Sequence, residues 1–535
     1  MSLIDDLKMY GRFGFGLRRF LRHSITVSEA VASIQQRMAD REQNFLRVLQ
    51  RGVFDYPRSP YLPLFRLARC EAGDVGDMVR RDGLEQTLRA LREAGIYVTF
   101  EECKGRVPIV RAGREFPVSA HDFDNPWAQA HYYSESGGST GAGTRVHHDL
   151  DYLAVRATHD AVSYHAHGVL DAPVGVWRGV LPDGSGLNTT LSLCRCGRPP
   201  ARWFTPGTHG LRTPALWKFA IANQLTVLLG RASGVAVPWP EHVPVERAEE
   251  IARWARQMVE RHGRCALAMV ASRALRVAVA ARQNGIDLTG VTFVISGEPV
   301  TPAKVAGIEA AGAAYFTTYG YSEAGRIGRG CCHPSGSNDL HLLTDMCAVI
   351  AYPREVPGDI TVPAFNVTCL LPSSPKILLN AESDDYGVLE ERSCGCPLEA
   401  LGYTTHIRDI RSFRKLTGEG VSVLGIDLLH ILEDVLPRQF GGTALDYQLM
   451  EEEDGQGFTV VSLIISPSVP LRDESAVVSA LLHAMRAGSP GGSAASDTWC
   501  QSGNLRVRRM QPVLTARGKL LPLYVPKRHD HTGQP

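Results

Sequence analysis

The sequence predicts an α/β protein with a large N-terminal domain of mixed, helix-covered sheets and a small α+β domain at its C-terminal end. The chain has 535 residues, more than one hydrophobic core usually supports. Strand-like and helix-like segments alternate through its middle, a pattern typical of parallel strands joined by helical crossovers. The pattern changes near residue 411. We expect a helical region over 1–128, the core of the large domain over 129–411 and the small domain over 412–535.

The N-terminal region is predicted to be largely helical. Thr26 and Glu29 form a capping-box pair ahead of a helical pattern over 30–50. A second amphipathic pattern over 84–94 is followed by a strand-like run over 96–100. The first stretch of the chain interleaves basic and apolar residues, so it is either a membrane-surface helix or a helix packed on its own protein, and its glycines favour the second. The basic residues of this stretch are Lys8, Arg12, Arg18, Arg19 and Arg22.

The alternation that predicts the parallel sheet starts near residue 249. The expected strands are 266–271, 291–295 and 314–317, and the expected helices are 249–262, 274–284 and 302–311. Ligands of such sheets bind where the strands have their carboxyl ends. In the small domain we expect a helix over 428–436, strands over 458–465 and 505–510, and a mobile loop over 487–496, which is rich in Gly, Ser and Ala.

Composition excludes several classes of protein. The 57 Lys+Arg residues nearly balance the 56 Asp+Glu, and a net charge of +1 provides no overall attraction for nucleic acid or acidic membranes. No apolar run approaches the ~20 residues that span a bilayer, and the N-terminus lacks the features of a signal peptide. A cytoplasmic protein is therefore expected. The 12 cysteines are too sparse for a disulfide framework, which leaves buried thiols or metal ligands.

A glycine-rich segment, Ser134-Glu-Ser-Gly-Gly-Ser-Thr-Gly-Ala-Gly-Thr-Arg145, is the sharpest local feature. Its glycines allow backbone N–H groups to turn towards an anion, and its hydroxyl groups add further donors. It is not a Walker A loop, because the lysine of that motif is absent. Taken alone, the segment fits a flexible linker as well as a phosphate-binding loop. The candidate phosphate-binding residues are Ser136, Gly138, Ser139, Thr140, Gly141 and Thr144.

Five further polar segments follow along the chain. They are Ser296-Gly297-Glu298-Pro299, Thr318-Tyr319-Gly-Tyr-Ser-Glu323, Ser383-Asp384-Asp385-Tyr-Gly387, Arg411 with the run Lys415-Leu-Thr-Gly-Glu-Gly-Val421, and Leu514-Thr-Ala-Arg-Gly-Lys519-Leu520. The first follows directly on the strand expected over 291–295, which puts it at a strand's carboxyl end.

Together these segments resemble, in kind and in order, the motifs of the adenylate-forming superfamily of acyl- and aryl-CoA ligases, peptide-synthetase adenylation domains and luciferases. Most members end the glycine-rich loop with lysine, whereas this chain has Thr144, as the phenylacetate-CoA ligase branch does. The resemblance lies in scattered motifs between about residues 130 and 525. It implies a small C-terminal domain that is mobile relative to the large one.

The resemblance implies an ATP site. Glycines and hydroxyl groups of the glycine-rich segment would hold the phosphates, Gly297, Glu298 and Pro299 would contact adenine, and Tyr319 would stack on it. Asp385 would bind the ribose and Arg411 the nucleotide. Two positions depart from the family pattern, since Asp384 stands where a glycine is usual and Phe413-Arg414 replaces the Asp-Asp of the interdomain hinge.

Three residues are candidates for catalysis by the same resemblance. Glu323 would bind Mg²⁺, a hard cation that prefers carboxylate oxygen. Thr140 would hold the triphosphate, and Lys519 would pair with the substrate carboxylate and the α-phosphate in the transition state. Without these neighbours, Glu323 would be read as an exposed loop carboxylate and Lys519 as a solvated surface lysine.

A second group of residues predicts a metal site. Cys331-Cys332-His333, His341 and Cys394-Gly-Cys396 supply enough thiolates and imidazoles for a closed tetrahedral Zn²⁺ site. The alternative is a set of reduced thiols without metal. A similar set in some phenylacetate-CoA ligase relatives favours Cys332, His341, Cys394 and Cys396 as ligands. Such a zinc ion would be structural, because no coordination position would remain open for water.

The resemblance implies an ATP-dependent acid–thiol ligase. It would adenylate an aryl or acyl carboxylic acid, release pyrophosphate and transfer the acyl group to a thiol, with coenzyme A as the expected co-substrate. The alternatives are transfer to an external acyl carrier protein, an amine or another nitrogen nucleophile, or an inactive homologue that serves as a binding protein. The acyl pocket is expected to draw on residues 160–240 and on walls near Ser296 and Tyr319.

Overall fold

The structure, a computed structural model, describes residues 3–135, 145–181, 183–206, 217–298, 300–356, 360–412, 417–418, 421–422, 428–453, 459–488, 505–514 and 520–524. The helices in these ranges are α1 (Leu3–Arg22), α2 (Val27–Ala39), α3 (Arg41–Leu49), α4 (Leu62–Ala68), α5 (Ala72–Asp82), α6 (Leu84–Glu93), α7 (Phe100–Cys103), α8 (Leu150–Ala166), α9 (Gly184–Arg195), α10 (Trp217–Ala232), α11 (Ala248–His262), α12 (Ala271–Gln283), α13 (Pro302–Glu309), α14 (Leu428–His430), α15 (Leu436–Phe440) and α16 (Glu474–Gly488). A π-helical turn, Ile431–Val435, joins α14 to α15.

The strands are β1 (Ile109–Arg111), β2 (Arg114–Phe116), β3 (Tyr132–Glu135), β4 (Arg145–His148), β5 (Val174–Trp177), β6 (Arg202–Thr205), β7 (Pro240–His242), β8 (Cys265–Met269), β9 (Val291–Ser296), β10 (Ala314–Tyr321), β11 (Gly325–Gly330), β12 (Leu340–Leu342), β13 (Cys347–Val356), β14 (Ile360–Cys369), β15 (Ala381–Glu391), β16 (Thr405–Ser412), β17 (Thr417–Gly418), β18 (Val421–Ser422), β19 (Tyr447–Glu453), β20 (Thr459–Ile465), β21 (Leu505–Arg509) and β22 (Leu523–Tyr524).

The main sheet contains 12 strands in the order β13-β14-β15-β16-β12-β11-β10-β9-β8-β5-β6-β7. From β7 to β10 the neighbouring strands are parallel, and from β10 to β13 they are antiparallel. The parallel half is the part in which the sequence alternates between helix and strand, because a parallel pair needs a crossover connection. The predicted mixed sheet is confirmed.

Helices cover both faces of the parallel half, and the side chains of its strands alternate between two cores. Leu267 and Met269 of β8 pack with α11 and α12. Ala266 and Ala268, their neighbours along the strand, face the core that includes residues of α1, α9 and α10. A strand buried on both faces reads as a continuous apolar run, which is why β8 and β9 were predictable.

A separate four-stranded sheet, in the order β21-β20-β19-β22, forms the C-terminal part of the protein. Leu449 and Leu463 of this sheet pack with Leu432 of the π-helical turn and Leu481 of α16 in a core of their own. The predicted fold class, a large helix-covered domain and a small α+β domain, is confirmed. The domain boundaries at 128 and 411 stay predictions, as does the loop over 487–496, which beyond Gly488 lies outside the described residues.

The N-terminal helices pack on the rest of the protein. In α1, Phe13, Leu17 and Phe20 are buried in the core beside the sheet, which favours the helix packed on its own protein over the membrane-surface helix. Leu88 of α6 and Phe65 of α4 share a core with the antiparallel half of the sheet. Within the described residues, no helix combines the length and apolar character needed to cross a bilayer.

Two predictions for this region need correction. The capping box at Thr26 and Glu29 is present, but the helix predicted over 30–50 is two helices that meet at Asp40, whose carboxylate accepts a hydrogen bond from the side chain of Gln36. The strand predicted over 96–100 is reduced to a single bridge at Val98, because Thr99 starts α7 through a capping box of its own.

Candidate functional site

The candidate site lies where β9 and β10 end. These strands are parallel, with Ser296 of β9 opposite Thr318 of β10. Gly297 and Glu298 follow β9, and Tyr319 comes directly after Thr318, the last residue of β10 that pairs with β9, so both motifs lie at the same edge of the sheet. This is the edge at which open α/β sheets bind ligands.

The turn between β10 and β11 requires glycine. Gly325 has a φ of +78°, and a Cβ on it would lie 1.7 Å from the hydroxyl oxygen of Tyr152. That hydroxyl accepts a hydrogen bond of 3.0 Å from the backbone N–H of Arg326. The close approach fixes the hairpin against α8 and so positions Glu323, which lies in the turn.

Tyr319 and Asp385 are in direct contact although 66 residues separate them. The Tyr319 hydroxyl donates a hydrogen bond of 2.8 Å to Oδ2 of Asp385. Burial, and then the charge of Asp385, raise the pKa of Tyr319 well above its usual value, so its hydroxyl keeps the proton that it donates. Of the two candidate carboxylates, Asp384 and Asp385, it is Asp385 that Tyr319 meets.

Arg411 lies beside Asp385 on the neighbouring strand. In the antiparallel pair β15 and β16, Asp385 is opposite Ser412 and Tyr386 is opposite Arg411. The backbone N–H of Asp385 donates to the Ser383 hydroxyl at 3.2 Å, which holds the start of this segment. The ribose and nucleotide candidates of the sequence analysis are therefore brought together.

The carboxylate of Glu323 is buried and forms an ion pair with the ammonium group of Lys104, which follows α7. Glu323 and Asp385 both contribute to raising the pKa of Tyr321 well above its usual value, after burial as the main cause, so all three lie in one region. Lys104 was missed by sequence reasoning. Its position depends on the helix that replaces the predicted strand at 96–100, and no local pattern marks it.

Glu298 is anchored rather than free. Its carboxylate accepts hydrogen bonds from the backbone N–H of Ser272, at 2.7 Å, and from the Ser272 hydroxyl, at 2.9 Å. Ser272 lies in the first turn of α12, where the helix dipole favours a negative charge. These contacts hold the Gly-Glu-Pro turn against the sheet, and they were not predicted.

Several predicted site residues lie outside the described residues. They are Ser136, Gly138, Ser139, Thr140, Gly141 and Thr144 of the glycine-rich segment, Pro299, and Lys519. The described residues that flank that segment, Glu135 and Arg145, pair across the hairpin of β3 and β4.

Three of the four predicted metal ligands lie close together, and Cys331 takes the place of the fourth, Cys332. Cys331, His341, Cys394 and Cys396 offer ligand atoms that all lie within 4.8 Å of one another. The prediction has Cys332 in place of Cys331, but the Cys332 thiol is also close, since a hydrogen bond with Cys396 raises its pKa. Hydrogen bonds from Cys331 and Cys332 in turn lower the pKa of Cys396.

His341 is oriented for a metal. Its Nδ1–H donates to the backbone carbonyl of Tyr403 at 2.7 Å, and its Nε2 lies 3.0 Å from Sγ of Cys396 and 3.7 Å from Sγ of Cys394. In a tetrahedral site with Zn–S bonds of about 2.3 Å, ligand atoms are separated by about 3.8 Å. The thiols and imidazole therefore fit Zn²⁺ with small adjustments, and the Tyr403 carbonyl fixes the required tautomer.

No protein-family model matches this chain. No curated protein matches it either. Among solved structures, it is similar to 2-hydroxyisobutyryl-CoA ligase in complex with 2-HIB-AMP and CoA, with 14% identity, 94% of this chain and 91% of that chain covered, and a TM-score of 0.43. For the anthranilate CoA ligase AuaEII in complex with anthranoyl-AMP, the identity is 10%, the coverage 82% and 75%, and the TM-score 0.43.

A third similar structure is ATP-bound MatB from Rhodopseudomonas palustris, with 11% identity, 73% of this chain and 66% of that chain covered, and a TM-score of 0.40. At such low identities, the chemistry of the site has to be judged from its own residues.

Proposed function

We propose that this protein is an adenylate-forming ligase that activates a carboxylic acid with ATP. A carboxylate oxygen of the acid attacks the α-phosphorus, the bond between that phosphorus and the bridging oxygen breaks, and pyrophosphate leaves. A thiol sulfur then attacks the acyl carbon of the acyl-AMP, AMP leaves, and the thiol proton passes to solvent. Coenzyme A is the proposed thiol. The phenylacetate-CoA ligase branch is the proposed relative, on the strength of Thr144 in the glycine-rich segment.

One observation carries the proposal: the contact between Tyr319 and Asp385, at 2.8 Å, joins two motifs that are far apart in sequence. Arg411 lies on the strand next to Asp385, and Gly297 follows the strand next to Tyr319. An aromatic ring, a ribose-binding carboxylate and a guanidinium group at one sheet edge suit a nucleotide. Residues from unrelated loops would not be expected to converge at this edge.

The described residues divide the work in the following way. The ring of Tyr319 would stack on adenine, Asp385 would accept hydrogen bonds from the ribose, and Glu323 would hold Mg²⁺ after Lys104 releases it. The metal ion would offset the negative charge that develops on pyrophosphate. Catalysis rests mainly on positioning and on electrostatic stabilisation of that charge. Thr140 and Lys519 are proposed to complete the phosphate contacts.

A structural Zn²⁺ site is a second part of the proposal. Four ligand atoms within 4.8 Å of one another, from Cys331, His341, Cys394 and Cys396, support it. Zinc would tie the β11–β12 region to the loop between β15 and β16, and it has no role in the chemical step. Cys332 is the alternative to Cys331.

A cytoplasmic location completes the proposal. The cysteines of the described residues carry free thiols, as expected in a reducing compartment. The partners would be a small-molecule carboxylic acid and either coenzyme A or an external acyl carrier protein, with no role for nucleic acid, because the net charge is only +1.

Pyrophosphate release tests the proposal. The protein is mixed with ATP, Mg²⁺ and a broad library of acids, and acyl-AMP is sought by mass spectrometry. Glu323→Gln is expected to lower the rate at least about a hundredfold, because it removes a ligand of the Mg²⁺ ion that would offset the transition-state charge. Asp385→Asn is expected to raise KM for ATP by about tenfold, the cost of one hydrogen bond to a charged group.

The control is Asp171→Asn, which removes an exposed carboxylate that pairs with Arg198 at the surface. It should leave both parameters as in the wild type. Addition of coenzyme A, a carrier protein or hydroxylamine then identifies the acceptor. Binding of ATP without pyrophosphate release from any acid would instead support a binding protein and defeat the proposal.

A further inference from the structure

Four arginine side chains lie together behind the edge of the sheet that carries the candidate site. Arg156 is on α8, Arg178 follows β5, and Arg326 and Arg329 are on β11. Arg178 and Arg329 are 7% and 1% exposed. The side chains of Arg156 and Arg326 are 16% and 12% exposed. Arginine is rarely buried to this extent unless it is paired, so the partners of this arginine cluster decide its meaning.

One carboxylate, that of Asp160, forms ion pairs with three of the four arginines. It forms a close ion pair with Arg329, while Nε of Arg156 lies 3.7 Å and Nη2 of Arg326 lies 3.9 Å from its oxygens. Arg178 is attracted by Asp183. Among the described residues, two carboxylates therefore face four guanidinium groups, which leaves an excess of two positive charges.

The excess of positive charge affects the protonation and the hydrogen bonding of the cluster. Burial, followed by mutual repulsion with Arg156, lowers the pKa of Arg178, Arg326 and Arg329 to about 9. The buried Nε–H groups of Arg156, Arg178 and Arg329 have no hydrogen-bond acceptor among the described residues. Buried charge that is neither paired nor fully hydrogen-bonded destabilises a fold. An anion placed among these groups would remove both penalties.

The arginine cluster adjoins the candidate site. Nη2 of Arg178 donates a hydrogen bond of 2.6 Å to the hydroxyl of Ser296, the residue before Gly297. Arg326 lies opposite Gly320, the residue after Tyr319, across the hairpin of β10 and β11. An anion held here would lie on the side of the sheet covered by α8. It would be next to Ser296 and Gly320, the neighbours in sequence of the candidate adenine contacts Gly297 and Tyr319.

We propose that the acid activated by this protein is dicarboxylic, and that Arg156, Arg178 and Arg326 hold the carboxylate that does not react. The inference rests on the proposed function, since it names the substrate of that same site. Arg156 and Arg326 have the longest ion pairs with Asp160, so their guanidinium groups can turn to a ligand without breaking a short bond. Guanidinium groups bind carboxylates by two parallel hydrogen bonds, which also orients the acid. The reacting carboxylate is then left at the far end, towards ATP.

Matched acids test the proposal. Pyrophosphate release is measured with butyrate against succinate, hexanoate against adipate, and 3-methylbenzoate against isophthalate, where each pair shares a carbon skeleton. The wild type is expected to favour the dicarboxylic member of at least one pair by about tenfold or more in kcat/KM, the effect of one hydrogen bond to a charged group. In Arg326→Met that ratio should fall by about tenfold, and in Arg326→Lys by less.

The control is Arg92→Met. Arg92 is also buried, at 8%, but pairs with Glu382 at 3.3 Å, away from the arginine cluster. This variant should keep the wild-type ratio between the paired acids even where its melting temperature falls. KM for ATP in Arg326→Met should stay within about twofold of the wild-type value.

Two results would overturn the proposal while leaving adenylation intact. The first is a wild type that prefers the monocarboxylic member of every pair. The second is a rise in KM for ATP in Arg326→Met that is the same with every acid, which would assign the arginine cluster to the triphosphate.

Melting temperatures without ATP separate the two proposals. If adipate, but not hexanoate, stabilises the wild type and not Arg326→Met, while no acid releases pyrophosphate, the anion site stands and the proposed function fails.

Discussion

The arginine cluster differs from a second group of buried charges around Asp345. The carboxylate of Asp345 is fully buried and accepts hydrogen bonds from Arg37 at 2.8 Å, from His159 at 3.0 Å and from Tyr403 at 2.8 Å. Every partner there is within hydrogen-bonding distance of one negative group. Around Asp160, by contrast, three guanidinium groups share one carboxylate, and two of them are more than 3.5 Å away.

This is the difference we expect between a structural group of charges and one that binds a ligand. The Asp345 group joins α2 and α8 to the segment before β13, and its partners outweigh the cost of burial, so that the pKa of Asp345 falls to about 2. It needs nothing from outside. The arginine cluster is incomplete in the described part of the chain, and it is incomplete at the edge of the sheet where a ligand is expected. A fold keeps such an imbalance where binding compensates for it.

The thiol cluster of Cys331, His341, Cys394 and Cys396 is the opposite case, because we propose that it binds a cation. We expect about one zinc ion per chain by mass spectrometry of the purified protein. Cys396→Ser should lose the metal and more than about 5 kcal/mol of stability, since metal-binding energy is folding energy. The control, Cys265→Ser, removes a buried thiol of β8 and should keep the zinc. If the wild type contains no metal and Cys396→Ser is as stable as the wild type, the thiol cluster is not a metal site.

Removal of the central carboxylates should distinguish the two groups of charges. Asp160→Asn and Asp345→Asn are each expected to cost about 3–5 kcal/mol, because each leaves a buried guanidinium group without its partner. Adipate should restore part of the melting temperature of Asp160→Asn and none of that of Asp345→Asn. Equal behaviour of the two variants in thermal unfolding would mean that both groups are structural.

Removal of an arginine gives a smaller and more specific effect. The side chains of Arg37 and Arg326 are equally exposed, at 12%. Arg37→Met should cost about 2–3 kcal/mol, because Asp345 loses its cation. Arg326→Met should change the stability by less than about 1 kcal/mol, because lost attraction to Asp160 is offset by relief of repulsion. Denaturant titrations of the two variants check the difference.

The smallest effect is expected at Lys104, whose ion pair with Glu323 is balanced but lies at the candidate site. In Lys104→Met, Mg²⁺ no longer has to displace the Lys104 ammonium group from Glu323. The Mg²⁺ concentration for half-maximal pyrophosphate release should therefore fall by about threefold. Arg106→Gln removes a nearby charge that pairs with Glu101 and serves as the control. An unchanged Mg²⁺ dependence in Lys104→Met would argue against Glu323 as a ligand of the metal.

Part of the site was predictable because its motifs are local. Gly297 and Glu298 follow β9, and Tyr319 lies near the carboxyl end of β10, so their meeting at one edge is a consequence of parallel pairing. The proposed zinc ligands were nearly predictable as well, since cysteine and histidine are rare enough to stand out. The choice between Cys331 and Cys332 was not, because adjacent residues on an irregular segment differ only in where their side chains point.

By itself the sequence determined the alternation of helix and strand, the separate C-terminal sheet and the order of the candidate nucleotide motifs, since each depends on periodicity or on neighbouring residues. Tertiary structure alone decided that Lys104 meets Glu323, that Ser272 anchors Glu298, and that three arginines share Asp160. The physical reason is that charge interactions act between side chains that are close in space. Their strength depends on burial and distance, which residue order does not contain.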